Sequence, residues 1–210
     1  MSTLPYFREA CVEGLDEALI AAKQGADRLE LCARLDLDGL TPDQATLRAI
    51  KAQVNIPLRV MIRPRAGNFV YSPSEIAAMD AGIDFCHALG VEGVVFGILT
   101  SRGTVDLPTT QRLIERARPL KVTFHRAIEQ TPDLERALRQ LIDHTGVDAI
   151  LTSGGATHAI DNLSRLERLI SLAQDRELIV CGKVTATNLP LLHAQLRARA
   201  YHGRRIMEGD

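Results

Sequence analysis

Eight short apolar runs alternate with longer amphipathic ones from one end of the chain to the other. The runs expected to form strands are 7–11, 28–32, 58–62, 93–96, 121–124, 148–151, 178–181 and 200–202. Strict strand–helix alternation implies a parallel sheet, because a parallel neighbour is reached only through a crossover. Periodicity alone does not separate an open sheet from a closed barrel. The count of eight favours a (β/α)8 TIM barrel, and no G-x-G-x-x-G or G-x-x-x-x-G-K-[ST] loop supports a nucleotide-binding open sheet. The 210 residues allow about 26 per unit, whereas such barrels usually take about 250 in all. One domain over residues 1–210 is therefore expected. The stretch beyond His202 would make only about two helical turns, so the last outer helix should be short or absent. Apolar surface beside strands eight and one would then be left for a partner subunit, making a homo-oligomer.

Helix entries are readable in the same way. Thr41-Pro42-Asp43-Gln44, Ser72-Pro73-Ser74-Glu75 and Thr131-Pro132-Asp133-Leu134 each place a hydroxyl before Pro, which predicts N-caps at Thr41, Ser72 and Thr131. Gly25, Gly90 and Gly146 are placed to end helices in the left-handed conformation.

Composition removes several functions. Lys plus Arg is 25 against 26 Asp plus Glu, and Trp is absent, so neither a phosphate-backbone footprint nor a base-stacking platform is present, and no nucleic acid is expected. No apolar run reaches the roughly 18 residues of a membrane span, and the opening residues lack the pattern of a secretory signal. Four scattered cysteines, Cys11, Cys32, Cys86 and Cys181, are too sparse for a disulfide scaffold and fit a reducing cytosol. A cytoplasmic location follows as the expectation.

In a parallel barrel the chemistry gathers at the C-terminal strand ends. Strand one ends Glu9-Ala10-Cys11 and strand two Glu30-Leu31-Cys32. Alternation puts each glutamate on one face with its cysteine, and inward is the economical side for them. Adjacent strands lie about 4.8 Å apart, so Glu9 and Glu30 are expected to be near neighbours. One pKa would then rise, giving an acid/base pair. Arg63 and Arg65 follow strand three, His125 and Arg126 strand five, Ser153 and Gly154 strand six, and His202 lies in strand eight. Together they are a kit for holding a small phosphate or carboxylate and moving a proton on it: Glu9, Glu30 and His125 catalytic, Arg63, Arg65, Arg126, Ser153, Gly154 and His202 binding the anion. The bland alternative is an interior charge network in which Arg63 or Arg126 neutralises the glutamates. Cys86 reads as helix packing and Cys181 as a weak third thiol.

The segments GADRLELC (25–32), DGLTPDQ (38–44), MIRPRAGNFVYS (61–72), VVFGILTSRGTVD (94–106), VTFHRAIE (122–129) and LTSGGA (151–156) resemble the copper homeostasis protein CutC family, in family order. The resemblance implies a (β/α)8 barrel, a cytoplasmic oligomer and a role in copper handling, with Cu(I) on the cysteines matching Cys11 and Cys32. Soft thiolates suit that ion. Departures from the family fall late, at Cys181-Gly182-Lys183 and Tyr201-His202-Gly203-Arg204, where Lys183 and Arg204 stand in place of the expected small residues. Two functions are carried forward: copper binding at the barrel mouth, and an enzyme acting on a small anion.

Overall fold

The structure, a computed structural model, is described for residues 4–155 and 157–207. Eight parallel strands close a barrel in sequence order, β1 pairing β8. They are β1 Phe7–Val12, β2 Arg28–Leu31, β3 Leu58–Met61, β4 Gly93–Phe96, β5 Lys121–Phe124, β6 Ala149–Thr152, β7 Glu177–Val180 and β8 Ala200–Gly203. Each bound lies within one residue of the expected one. Outside run α1 Leu15–Lys23, α2 Gln44–Gln53, α3 Pro73–Leu89, α4 Leu107–Ala117, α5 Leu134–Thr145, α6 Leu163–Ala173 and α7 Leu189–Leu196. Leu134, Leu138 and Leu141 of α5 and Leu166 and Leu169 of α6 are buried, which accounts for the helical spacing of leucines. No helix among the described residues is long and apolar enough to cross a membrane.

Two helix entries differ from expectation. Ser72 caps α3 in a reciprocal box with Glu75. At α2 and α5 the caps are Asp43 and Asp133, whose carboxylates accept from the N–H groups of Thr46 and Arg136. The aspartate stands next to the first helical residue and reaches those N–H groups, whereas the Thr two residues earlier is turned to other partners. Thr41 Oγ1 accepts from the Arg63 N–H at 2.8 Å, and Thr131 Oγ1 donates to the Ile128 carbonyl at 2.7 Å.

Among the described residues no helix follows β8. The outer face of β8 is nevertheless covered. Tyr201 is fully buried, with the Tyr6 ring 5.5 Å and the His193 ring 5.7 Å from it. Residues before β1 and on α7 thus shield the strand that an eighth helix would cover. Exposed apolar side chains lie instead on the bordering helices, Leu19 and Ile20 of α1 and Leu191 of α7.

Candidate functional site

Register decides what meets what inside the barrel. Glu9 pairs with Arg28, Cys11 with Glu30, Glu30 with Arg59, and Glu9 with His202 across the closing seam. Glu9 and Glu30 are therefore offset diagonally on neighbouring strands, with carboxylate oxygens within 4.8 Å of each other, and an imidazole bridges them. His202 Nδ1 is 2.9 Å from Glu9 and Nε2 3.6 Å from Glu30.

Below this bridge lies an ion network that includes residues the sequence reading did not single out. Arg28 Nε donates to Glu9, and Arg28 reaches Glu177 at 3.0 Å. Arg59 holds Glu92 at 2.9 Å, Glu177 at 3.3 Å and the Thr123 hydroxyl at 2.8 Å. Both arginines are buried, and an unpaired buried charge is costly, so the carboxylates answer them. Arg28 shares its parity with Glu30, and Arg59 with Met61. An inward charge on a strand was the signal available for both.

Above the network sit the thiols. Ligand atoms of Cys11, Glu30 and Cys32 lie within 4.8 Å of one another, as do those of Glu9, Glu30 and His202. Glu30 belongs to both groups, so five side chains form one continuous cluster. Burial opposes ionisation of Glu9, but Arg28, His202 and Arg59 outweigh it and hold its carboxyl well below the usual range. Burial pushes Glu30 up to about 8 against the pull of His202. The two carboxyls thus split, by unequal access to the guanidinium groups. The hydrogen bond from Cys32, with help from His202, lowers Cys11 to about 5 against burial, while the same bond and burial push Cys32 up. Cys32 Sγ also donates to Glu30 Oε2 at 3.5 Å. Burial works against the charged form of His202, but Glu30, Cys11 and Glu9 raise it well above its ordinary value.

The other expected site residues take several positions. Arg63 donates to the carbonyls of Leu37, Asp38, Gly39 and Gly67. Arg65 pairs with Glu75 at 2.5 Å and closes its own loop through Asn68 and Val70. Arg126 pairs with Glu129 at 2.8 Å and meets Ser153 Oγ at 3.3 Å. The Ser153-Gly154 turn is already served by protein. Glu129 accepts from the Ser153 N–H at 2.6 Å, and Thr152 Oγ1 from the Gly154 N–H at 3.0 Å. His125 is buried and accepts from the Ala127 N–H through Nδ1. Cys181 is buried and pushed up to about 12 by burial. It packs with Ala149, Leu151, Ile179 and Ala200, whereas Cys11 and Cys32 pack with Met61 and Val95.

Fold and site define a (β/α)8 barrel carrying a buried thiol–carboxylate–imidazole cluster near its C-terminal end. The CutC family profile matches residues 6–206. A CutC family protein of Mesorhizobium japonicum is 45% identical over 182 residues, 86% of this chain and 70% of that protein. The human copper homeostasis protein cutC homolog is 39% identical over 198 residues, 94% of this chain and 72% of its own length. A crystal structure of a CutC protein from Streptococcus agalactiae superposes with a TM-score of 0.90 at 31% identity, covering 96% of this chain and 99% of that one. The chain belongs to the CutC family of copper homeostasis proteins.

Proposed function

We propose that the chain binds copper as Cu(I) through Cys11 and Cys32 and handles it in the cytoplasm as a homo-oligomer. One observation carries the reading: two inward thiols and the Glu30 carboxylate present ligand atoms within 4.8 Å of one another. The donor set suits a soft monovalent cation, since thiolates select Cu(I) over hard ions. Contact with Cys32 and His202 draws Cys11 toward the thiolate, while the Cys11 contact and burial keep the proton on Cys32, whose thiol donates to Glu30. Capture of Cu(I) by both sulfurs therefore requires the proton of Cys32 to leave. Arg28 and Arg59 do not oppose the cation as unpaired charges would. Arg28 and Arg59 face Glu9, Glu92 and Glu177, while Arg63 is held by loop carbonyls. The copper relatives named above support the same reading.

Titration of the reduced protein against a Cu(I) chelator tests it. Cys11→Ser and Cys32→Ser are each expected to lose about 10–100-fold or more in affinity, and Cys181→Ser and Cys86→Ser to match the wild type. Unchanged affinity in both of the first two variants overturns the assignment.

A further inference from the structure

Unmet hydrogen-bonding capacity gathers on the side of the barrel rim formed by β3, β4 and β5. Arg63 Nε, Tyr71 Oη and His125 Nε2 are buried and have no hydrogen-bond partner. Arg63 and Tyr71 are the two ends of one loop, and Phe69 of that loop contacts both Arg63, at 4.9 Å, and the His125 ring, at 4.9 Å.

Register brings the first and third of these groups together. Met61 pairs with Val95 and Val95 with Thr123. Two residues further along each chain, Arg63, Gly97 and His125 therefore continue the inward row at the rim. A side chain on Gly97 would put its Cβ 2.5 Å from His125 Nδ1 and 2.7 Å from Cε1. Only glycine lets the imidazole lie across β4, on the side of Arg63. That charge is felt: burial first, then Arg63, lower the His125 pKa to about 3. Tyr71 is pushed up by burial against the pull of Arg63, so its hydroxyl keeps its proton.

Every one of these groups has a proton to give. Nδ1 of His125 accepts the Ala127 N–H, so the ring proton of the neutral imidazole is on Nε2. Arg63 Nε can only donate. Arg63 is 3% and His125 4% exposed, yet no carboxylate lies in salt-bridge range of this guanidinium among the described residues, which answer it with four carbonyls. Glu75, the acid acting on Tyr71, is committed to Arg65 and the Ser72 N–H. The Tyr71 hydroxyl faces Arg63 and can accept from it, which leaves the protons of Tyr71 and His125 unanswered beside a buried positive charge that no carboxylate balances, and that combination calls for an anion.

We propose that Arg63, Tyr71 and His125 bind a small carboxylate monoanion at the β3–β5 side of the rim, next to the thiols but independent of them. A single positive charge balances a monoanion, whereas a phosphate dianion would leave a buried negative charge unmatched. The apolar face of Phe69 suits a short organic acid over a bare inorganic ion. The neighbourhood of the thiols is set by Gly39. Its carbonyl accepts from Arg63 at 3.0 Å, and a Cβ on it would lie 3.2 Å from Cys32 Sγ.

Isothermal titration calorimetry of the copper-free full chain at pH 7, with acetate, lactate and inorganic phosphate in separate runs, decides the matter. Acetate or lactate is expected to bind saturably at one site per chain, with phosphate weaker. Tyr71→Phe removes one hydroxyl and should weaken carboxylate binding about tenfold or more while leaving the unfolding midpoint of the ligand-free protein unchanged or higher. Arg63→Lys should abolish binding. Because Arg63 also ties down four carbonyls, Tyr71→Phe is the deciding variant if Arg63→Lys fails to fold. Cys11→Ser should bind carboxylate like the wild type, which separates this site from the copper reading. Absence of saturable binding by either acid, tighter binding of phosphate, or wild-type affinity in Tyr71→Phe overturns the proposal.

Discussion

At the scale of single residues, two buried groups pull the acid stability of the protein in opposite directions. His125 is neutral in the fold, with its pKa lowered from 6.5 to about 3 by burial and Arg63. The unfolded chain takes up this proton below about pH 6.5, so the stability His125 confers is present above that value and is lost as pH falls. Glu30, raised from 4.5 to about 8, has the reverse sign: its contribution is full below about pH 4.5 and is lost as pH rises through 8. Between pH 6.5 and 5 the two offset each other. His125→Asn should therefore gain on the wild type by about 2 kcal/mol across that interval, read from urea unfolding at several pH values. Parallel pH profiles for the two proteins would show that His125 is not held neutral. The inward face of Glu9, Cys11, Glu30 and Cys32 was readable because alternation on a strand is a property of each strand alone. The meeting of Glu9 with Arg28 and His202 was not. It depends on the stagger between strands, which closure of the whole barrel sets, and no single segment carries it.

At the scale of elements, strand positions were readable to within a residue because each strand is a short apolar run between a helix and a loop. The entries to α2 and α5 were less so. A Thr-Pro-Asp string offers two capping oxygens, and the choice between them depends on where the first helical turn starts. The structure assigns the cap of α2 to Asp43, which accepts from the Thr46 N–H at 2.9 Å and from the Thr46 hydroxyl at 2.7 Å. Asp43→Ala should cost about 1 kcal/mol, and Asp43→Asn much less, since Asn also caps well. Equilibrium unfolding of the two variants checks this, and equal losses would point away from a capping role. Thr41 instead joins the rim, its hydroxyl receiving the Arg63 N–H. This short string thus starts a helix and also steadies the strand end that presents Arg63.

At the scale of the whole molecule, β1–β8 pairing leaves the sheet without an edge, while the described helices leave a break in the outer ring between α7 and α1. Edge pairing is thereby removed as a route to association, and what is left for it is side-chain surface. Leu19, Ile20 and Leu191 are exposed on the two helices that border the break. Tyr6, His193 and Tyr201 already fill its floor with tilted and edge-on rings. The proposed homo-oligomer would use Leu19, Ile20 and Leu191. In a two-fold interface the same patch serves both copies, so one contact covers the apolar side chains of each. Light scattering on the eluting protein at micromolar concentration should report a dimer or higher oligomer. Ile20→Glu combined with Leu191→Glu should convert it to monomer, because burying those carboxylates in the interface would be costly. The variant should keep wild-type Cu(I) affinity, since both positions lie outside the barrel and the thiols inside it. A monomeric wild type, or a double variant with unchanged mass, would remove the break in the ring as an interface.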